Sequence, residues 1–259
     1  NALLQRVLTP FRIRESVRLL EPRMQLDHES LIALLMRQGY SRTDTVADAG
    51  EFAVRGSVFD IFPSGLDQGL RLDFFGDELE TLRLFDPHTQ RSTGSVPGHL
   101  LLPASEALLD EDTIKRFRSR YREQFGANAT GDPLYQAVSD GRRLAGMEHW
   151  LPLFEEKLAT LFDHLSRQDV IVMDSAAIGA GEERLTDIED YHASRIQSAG
   201  QAAGSYRPLA TGALYLAREE YNEKLASWPV HRADIFAQPE SATVVDFGFS
   251  SARDFAPER

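Results

Sequence analysis

The sequence predicts a mixed fold, a small α+β unit beside a larger α/β region, and three observations carry that expectation. The densest run of Val, Ile and Phe lies in Glu51–Phe85 and is punctuated at Gly56, Pro63 and Gly76-Asp77. Beyond Pro103, apolar residues recur at helical spacing, as in Ile114, Phe117, Tyr121 and Phe125. Val170-Ile-Val-Met-Asp174 is a short continuous apolar run, typical of a strand covered on both faces in a parallel sheet.

In chain order, residues 1–17 read as the end of a preceding segment, with Leu8–Arg14 as the tail of a strand. Asn1 is not an initiating Met and no leader profile follows, so the chain is expected to be cut from a longer protein. The unit at 18–103 opens on a helix capped by Asp27, carrying Leu31, Leu34 and Leu35 on one face and stopped by Gly39. Three or four antiparallel strands follow. Glu51–Pro63 slips its alternation at Gly56, where a bulge or a close backbone approach is expected. Leu70–Phe85 reads as a hairpin, because Gly76-Asp77 suits a two-residue turn needing positive φ at its first central position.

The region 104–259 begins with a helix capped by Asp110 or Asp112 and closed by Gly126. A loop at 127–133 and a short helix at 134–138 come next. Further helices are expected near 182–198 and 218–228, and strands near 230–236 and 243–247.

Composition excludes several functions. The chain has 259 residues, no cysteine and a formal net charge of -12. Disulfides, thiolate zinc sites and a cysteine nucleophile are absent, which fits a reducing cytoplasm. A polyanion is repelled by so acidic a surface, and no Lys/Arg-rich run offsets it, so direct nucleic-acid binding is disfavoured. No apolar run approaches the ~18–20 residues of a membrane span. Lys115, Lys157 and Lys224 are the available lysines and none follows a glycine-rich phosphate loop, so no nucleotide cofactor site is expected. Ser175, after the Val170–Asp174 run, stands where a magnesium-binding strand usually carries a second acid. Gly179-Ala-Gly181 reads as a loop, since Glu182 and Glu183 would repel a bound anion. The histidines at 28, 88, 99, 149, 164, 192 and 231 show no metal-ligand spacing. The acid clusters Asp77-Glu78-Glu80 and Asp187-Glu189-Asp190 read as solvated faces. No catalytic residue, cofactor or metal site is therefore assigned.

The candidate site lies on the hairpin. Strand alternation puts Leu70, Leu72 and Phe74 on one side and Arg71, Asp73 and Phe75 on the other. The first set is core. The second presents an aromatic among charges, and Arg55 can join it from the adjacent strand. Exposed Arg and aromatic residues concentrate interface energy. The structural alternative is that Phe75 is capped by another element and Arg71 pairs only with Asp73 or Glu80.

Phe52-Ala-Val-Arg-Gly-Ser-Val-Phe-Asp-Ile-Phe-Pro63 and Arg71-Leu-Asp-Phe-Phe-Gly-Asp-Glu78 resemble paired motifs shared by UvrB and the bacterial transcription-repair coupling factors (Mfd). Leu101–Ala104, Phe117–Tyr121 and Ala145–Phe154 are similar to the latter family rather than to UvrB. The resemblance covers most of the chain and weakens after about residue 175. It implies an incomplete, degenerate P-loop ATPase-like (UvrB-like) domain, 1–17 with 104–259, into which a small antiparallel β-rich UvrA-docking domain, 18–103, is inserted. It also implies that Arg55, Arg71 and Phe75 contact UvrA, and that this fragment has no activity of its own. For the parent protein it implies an ATP- and magnesium-dependent DNA translocase. RNA polymerase and DNA would be bound through other domains, and a carboxy-terminal domain would conceal the UvrA surface. Replacing Arg55 or Arg71 by Ala is then expected to weaken docking at a stability cost within about 0.5 kcal/mol. The alternatives are a UvrB-type ATPase or helicase fragment, and a folded spacer.

Overall fold

Thr9 sets the first boundary of the chain. In the computed structural model, which describes residues 2–199, 207–234, 241 and 243–245, strand β1 (Arg6–Val7) gives way to helix α1 (Pro10–Ser16). The Thr9 side chain accepts a hydrogen bond from Arg12 N at 3.1 Å, and Pro10 fills the first helical position with φ already set. The strand expected to reach Arg14 therefore stops at Val7.

Strand β2 (Arg18–Leu20) leads into helix α2 (His28–Arg37). Asp27 accepts from Ser30 N at 2.8 Å, and Gly39 ends the helix at φ +92°. Strands β3 (Ser41–Arg42), β4 (Glu51–Arg55), β5 (Val58–Ile61), β6 (Gly69–Phe75), β7 (Glu78–Phe85) and β8 (Ser92–Ser95) form one sheet in sequential order. It has six strands instead of the three or four expected, and every pairing is antiparallel except the parallel β3–β4.

Glu51–Pro63 is not one strand with a bulge. Gly56, at φ +62°, and Ser57 make a two-residue turn, with Arg55 opposite Val58. Gly76, at φ +60°, makes the same kind of turn with Asp77, and Phe75 faces Glu78. Both tight turns lie at one end of the sheet, where Phe74 N donates to Ser57 O at 2.9 Å. An irregularity does occur, but in the β6–β7 pairing, at Asp73/Phe74.

One sheet face buries Phe52, Phe59, Ile61, Leu70, Leu72 and Phe74 against Leu31 and Leu35 of α2. Each such side chain contributes about 1.5–3 kcal/mol of burial. The opposite face carries a smaller cluster, Val46, Ala53, Phe62 and Phe85. Strand β9 (His99–Leu101) then pairs antiparallel with β2, Arg18 facing Leu101, so the entry to this unit and its exit are zipped together.

The rest of the chain is mainly helical. Helix α3 (Glu111–Phe125) carries a capping box between Asp110 and Thr113 and ends at Gly126. Helices α4 (Pro133–Ser139) and α5 (Leu151–Phe154) pack with α3 around Phe117, Tyr121, Trp150 and Phe154. Strand β10 (Ala159–Thr160) returns to β1, Arg6 facing Thr160. Leu4 and Leu8 join the cores formed by these later residues, so the chain leaves this region at about residue 18 and re-enters it after Leu101.

Strand β11 (Ile171–Asp174) runs directly into helix α6 (Ser175–Ala199), followed by α7 (Thr211–Leu214), α8 (Arg218–Ala226) and strand β12 (Val230–Ala233), which pairs parallel with β11. Two expectations are corrected here. Gly179-Ala-Gly181 lies within α6 and is no loop. The β11 segment is covered on one face only among the described residues: Ile171 and Met173 are buried while Val170 and Val172 are exposed, because α6 and α8 pack on the side of the former pair. Residues 243–245 form no strand, and the remainder of the strand expected at 243–247 lies outside the described residues, as does most of the tail beyond 234. The fold is thus a mixed α/β arrangement of several small sheets with an antiparallel β-rich part. No helix among the described residues is long and apolar enough to cross a membrane.

Candidate functional site

The sheet register puts the three candidate residues on the face away from α2. Ala53, Asp60, Arg71 and Arg83 stand opposite one another across β4, β5, β6 and β7. The neighbouring row runs Arg55, Val58, Asp73 and Thr81. Phe75 lies two residues beyond Asp73 on β6 and so shares this face.

Arg55 and Arg71 meet on a residue that the sequence reading passed over. Asp60 is only 1% exposed and takes three hydrogen bonds. Arg71 Nε donates to its Oδ1 at 2.7 Å and Arg71 Nη2 to its Oδ2 at 2.9 Å. Arg55 Nη2 donates to the same Oδ2 at 2.5 Å. A two-pronged guanidinium–carboxylate pair is among the stronger polar contacts, and burial removes much of the solvent screening. The signal for Asp60 was present in the sequence: it is the sole charge in Val58-Phe-Asp-Ile-Phe62. A buried charge requires partners.

Arg71 is engaged on every side. Its Nη1 also donates to Gln90 O at 3.2 Å, and its guanidinium stacks on Phe85 at 4.9 Å from the ring centroid. The hydrogen bonds it donates to Asp60 hold its pKa above the ordinary arginine value, against the opposing effect of burial. Gln90 is itself fixed, with φ +61° and its side-chain amide donating to Val46 O at 2.8 Å and Pro87 O at 2.6 Å. The pairing of Arg71 with Asp73 or Glu80 is thus corrected. Arg83 takes Asp73 instead, through Nη2 at 2.7 Å and Nε at 3.1 Å, and Thr81 Oγ1 donates to the same carboxylate at 2.8 Å.

The exposures separate the three candidates. The Arg71 side chain is 16% exposed, that of Arg55 is 49% exposed, and Phe75 is 81% exposed. No element among the described residues caps Phe75. An unsupported phenyl ring in water on the same sheet face as a half-exposed guanidinium is chemically suited to a partner surface offering an apolar socket and an acceptor oxygen.

Comparison with known proteins gives this face a context. Residues 19–106 match a family described as the UvrB interaction domain. The transcription-repair-coupling factor of Haemophilus influenzae is 35% identical over 232 residues, which are 88% of this chain and 20% of that protein. That of Escherichia coli is 32% identical over 258 residues, 99% of this chain and 22% of that protein. That of Myxococcus xanthus is 32% identical over 247 residues. The chain spans about a fifth of the length of the curated relatives it matches.

Proposed function

The chain belongs to the transcription-repair-coupling factor family, as a region that includes a UvrB interaction domain, and from that premise we propose that it docks UvrA through the β4–β7 face. The observation that carries the proposal is the 81% exposure of Phe75 on the same sheet face as a tethered Arg55, inside the segment 19–106 that matches the interaction domain. A large aromatic left in water on a rigid sheet, together with an arginine, is the composition of a docking hot spot. The three-residue contact set is part of this proposal, with Phe75 and Arg55 as its exposed members.

On this reading the fragment has no catalytic role and holds no cofactor. Its helical and parallel-strand region is the incomplete, degenerate ATPase-like domain on which the docking unit is mounted. The intact protein uses ATP and magnesium to move on DNA in the cytoplasm, meets RNA polymerase through other domains, and covers the Phe75 face with its carboxy-terminal domain until repair is needed.

Hydrogen-exchange mass spectrometry of the chain with and without UvrA tests the docking face. Protection is expected in peptides spanning 55–60 and 71–78. Protection confined to α6 or α8 would contradict the proposal.

A further inference from the structure

Resting on that docking reading, we infer that Asp60 is a positioning residue that aims Arg55 at the partner, and that Arg71 holds the Asp60 carboxylate in place. Three features lead here. Asp60 is buried and divides its two oxygens unequally: Oδ1 takes Arg71 alone, whereas Oδ2 takes both Arg71 and Arg55. Arg71 is 16% exposed, with Nε, Nη1 and Nη2 all donating within the molecule and its flat side on Phe85, so little of it is left to offer. Arg55 is 49% exposed and is held at Nη2 only, among the described residues, so its Nε–H and Nη1–H remain at the surface.

The chain of contacts is continuous. Gln90, fixed by Val46 O and Pro87 O, holds Arg71 through its carbonyl; Arg71 orients the Asp60 carboxylate; Asp60 holds one prong of Arg55. A free arginine side chain gives up much rotamer freedom when it docks, and one already tethered gives up less. The tether also fixes where the free prongs point. Since Asp60 neutralises one arginine charge of the pair and is itself buried, the half-exposed Arg55 guanidinium is the cationic group that the Asp60 cluster presents on this face. The partner chemistry that fits is a carboxylate or carbonyl oxygen adjoining an apolar socket.

The test is a double-variant cycle on affinity for UvrA, using the whole chain. Arg55→Ala alone is expected to weaken binding about tenfold or more, and Asp60→Asn several-fold, because the amide keeps the shape and loses the charge that holds both guanidinium groups. In the Asp60→Asn background, Arg55→Ala should cost less than about threefold, since the tether it depends on is already gone. Should Asp60→Asn fold poorly, Arg71→Lys gives the second route: it keeps the charge, loses the fork, and should weaken binding through Arg55 in the same coupled way.

A purely structural role for Asp60 would not loosen the Arg55 side chain in a variant whose backbone is intact. NMR relaxation at Arg55 Nε should therefore show increased mobility in Asp60→Asn or Arg71→Lys, with the amide shifts of α2 unchanged. Independent, multiplicative effects on affinity, or an equally ordered Arg55 Nε, would overturn the inference. Wild-type affinity in both Arg55→Ala and Phe75→Ala would instead overturn the docking reading on which it rests.

Discussion

Replacing Arg71 with Ala is expected to cost far more stability than an exposed substitution does. The change removes both prongs from a carboxylate that is 1% exposed, together with the bond to Gln90 O and the stacking on Phe85. Breaking a buried ion pair from one side costs about 3–5 kcal/mol, because the remaining charge loses its compensation. Two features of the site reduce that figure: Arg71 is itself 16% exposed, and Arg55 still reaches Asp60 Oδ2. We expect a net loss of about 2–3 kcal/mol, against about 1 kcal/mol for Arg55→Ala, which removes one hydrogen bond from a half-exposed side chain. The sequence expectation of about 0.5 kcal/mol for either arginine is thereby revised, and most sharply for Arg71. In urea the midpoint for the β-rich unit should fall by about 1–3 M. Its amide protection should fall in step across β5 and β6, while the α3–α5 core, which does not touch Arg71, keeps its own. A midpoint shift for Arg71→Ala no larger than that for Arg55→Ala would refute the idea that Arg71 anchors the buried carboxylate.

Gly69→Ala should destabilise the same sheet by about 1–3 kcal/mol: the added Cβ would sit 2.2 Å from the Phe85 ring, which lies opposite Gly69 across β6–β7. A melting temperature within 2 °C of wild type would show that the ring can step aside. Acid should weaken the helical region. Burial raises the Asp110 pKa, but Arg12 and the Thr113 cap outweigh it and leave the group below its ordinary 3.8. A depressed folded-state pKa stabilises above the unfolded value and is lost as pH falls through the folded one, so stability should decline below about pH 4. Asp110→Asn should flatten that decline, and an unchanged acid limb would count against this role of the Arg12–Asp110 pair.

Local chemistry made much of the architecture readable. Asp27 and Gly39 bracket α2, Asp110 and Gly126 bracket α3, and Gly76-Asp77 turns the β6–β7 hairpin, each through a side chain or φ requirement visible in a few residues. The same local signal misled at Gly56, because a lone glycine in an apolar β run fits a bulge as well as a turn. Deciding between them depends on Arg55 meeting Val58 across the strands. Gly179 and Gly181 read as a loop from their neighbours, yet packing of Leu185 and Ile188 carries α6 through them. At the site, alternation found the face and the exposed Phe75. It did not find Asp60, whose meaning lies in partners five and eleven residues away on two other strands. Nor did it divide labour between Arg55 and Arg71, since both are arginines on one face and only their packing sets them apart.

The most direct measurement is a calorimetric titration of the 259-residue chain against UvrA, repeated with Phe75→Ala. Because Phe75 is 81% exposed, the variant should match the wild-type melting temperature within about 2 °C. Its affinity for UvrA should fall about thirtyfold, the equivalent of a 2 kcal/mol hot spot. An equally stable variant that bound UvrA as tightly as wild type would contradict the assignment of this face as the docking surface.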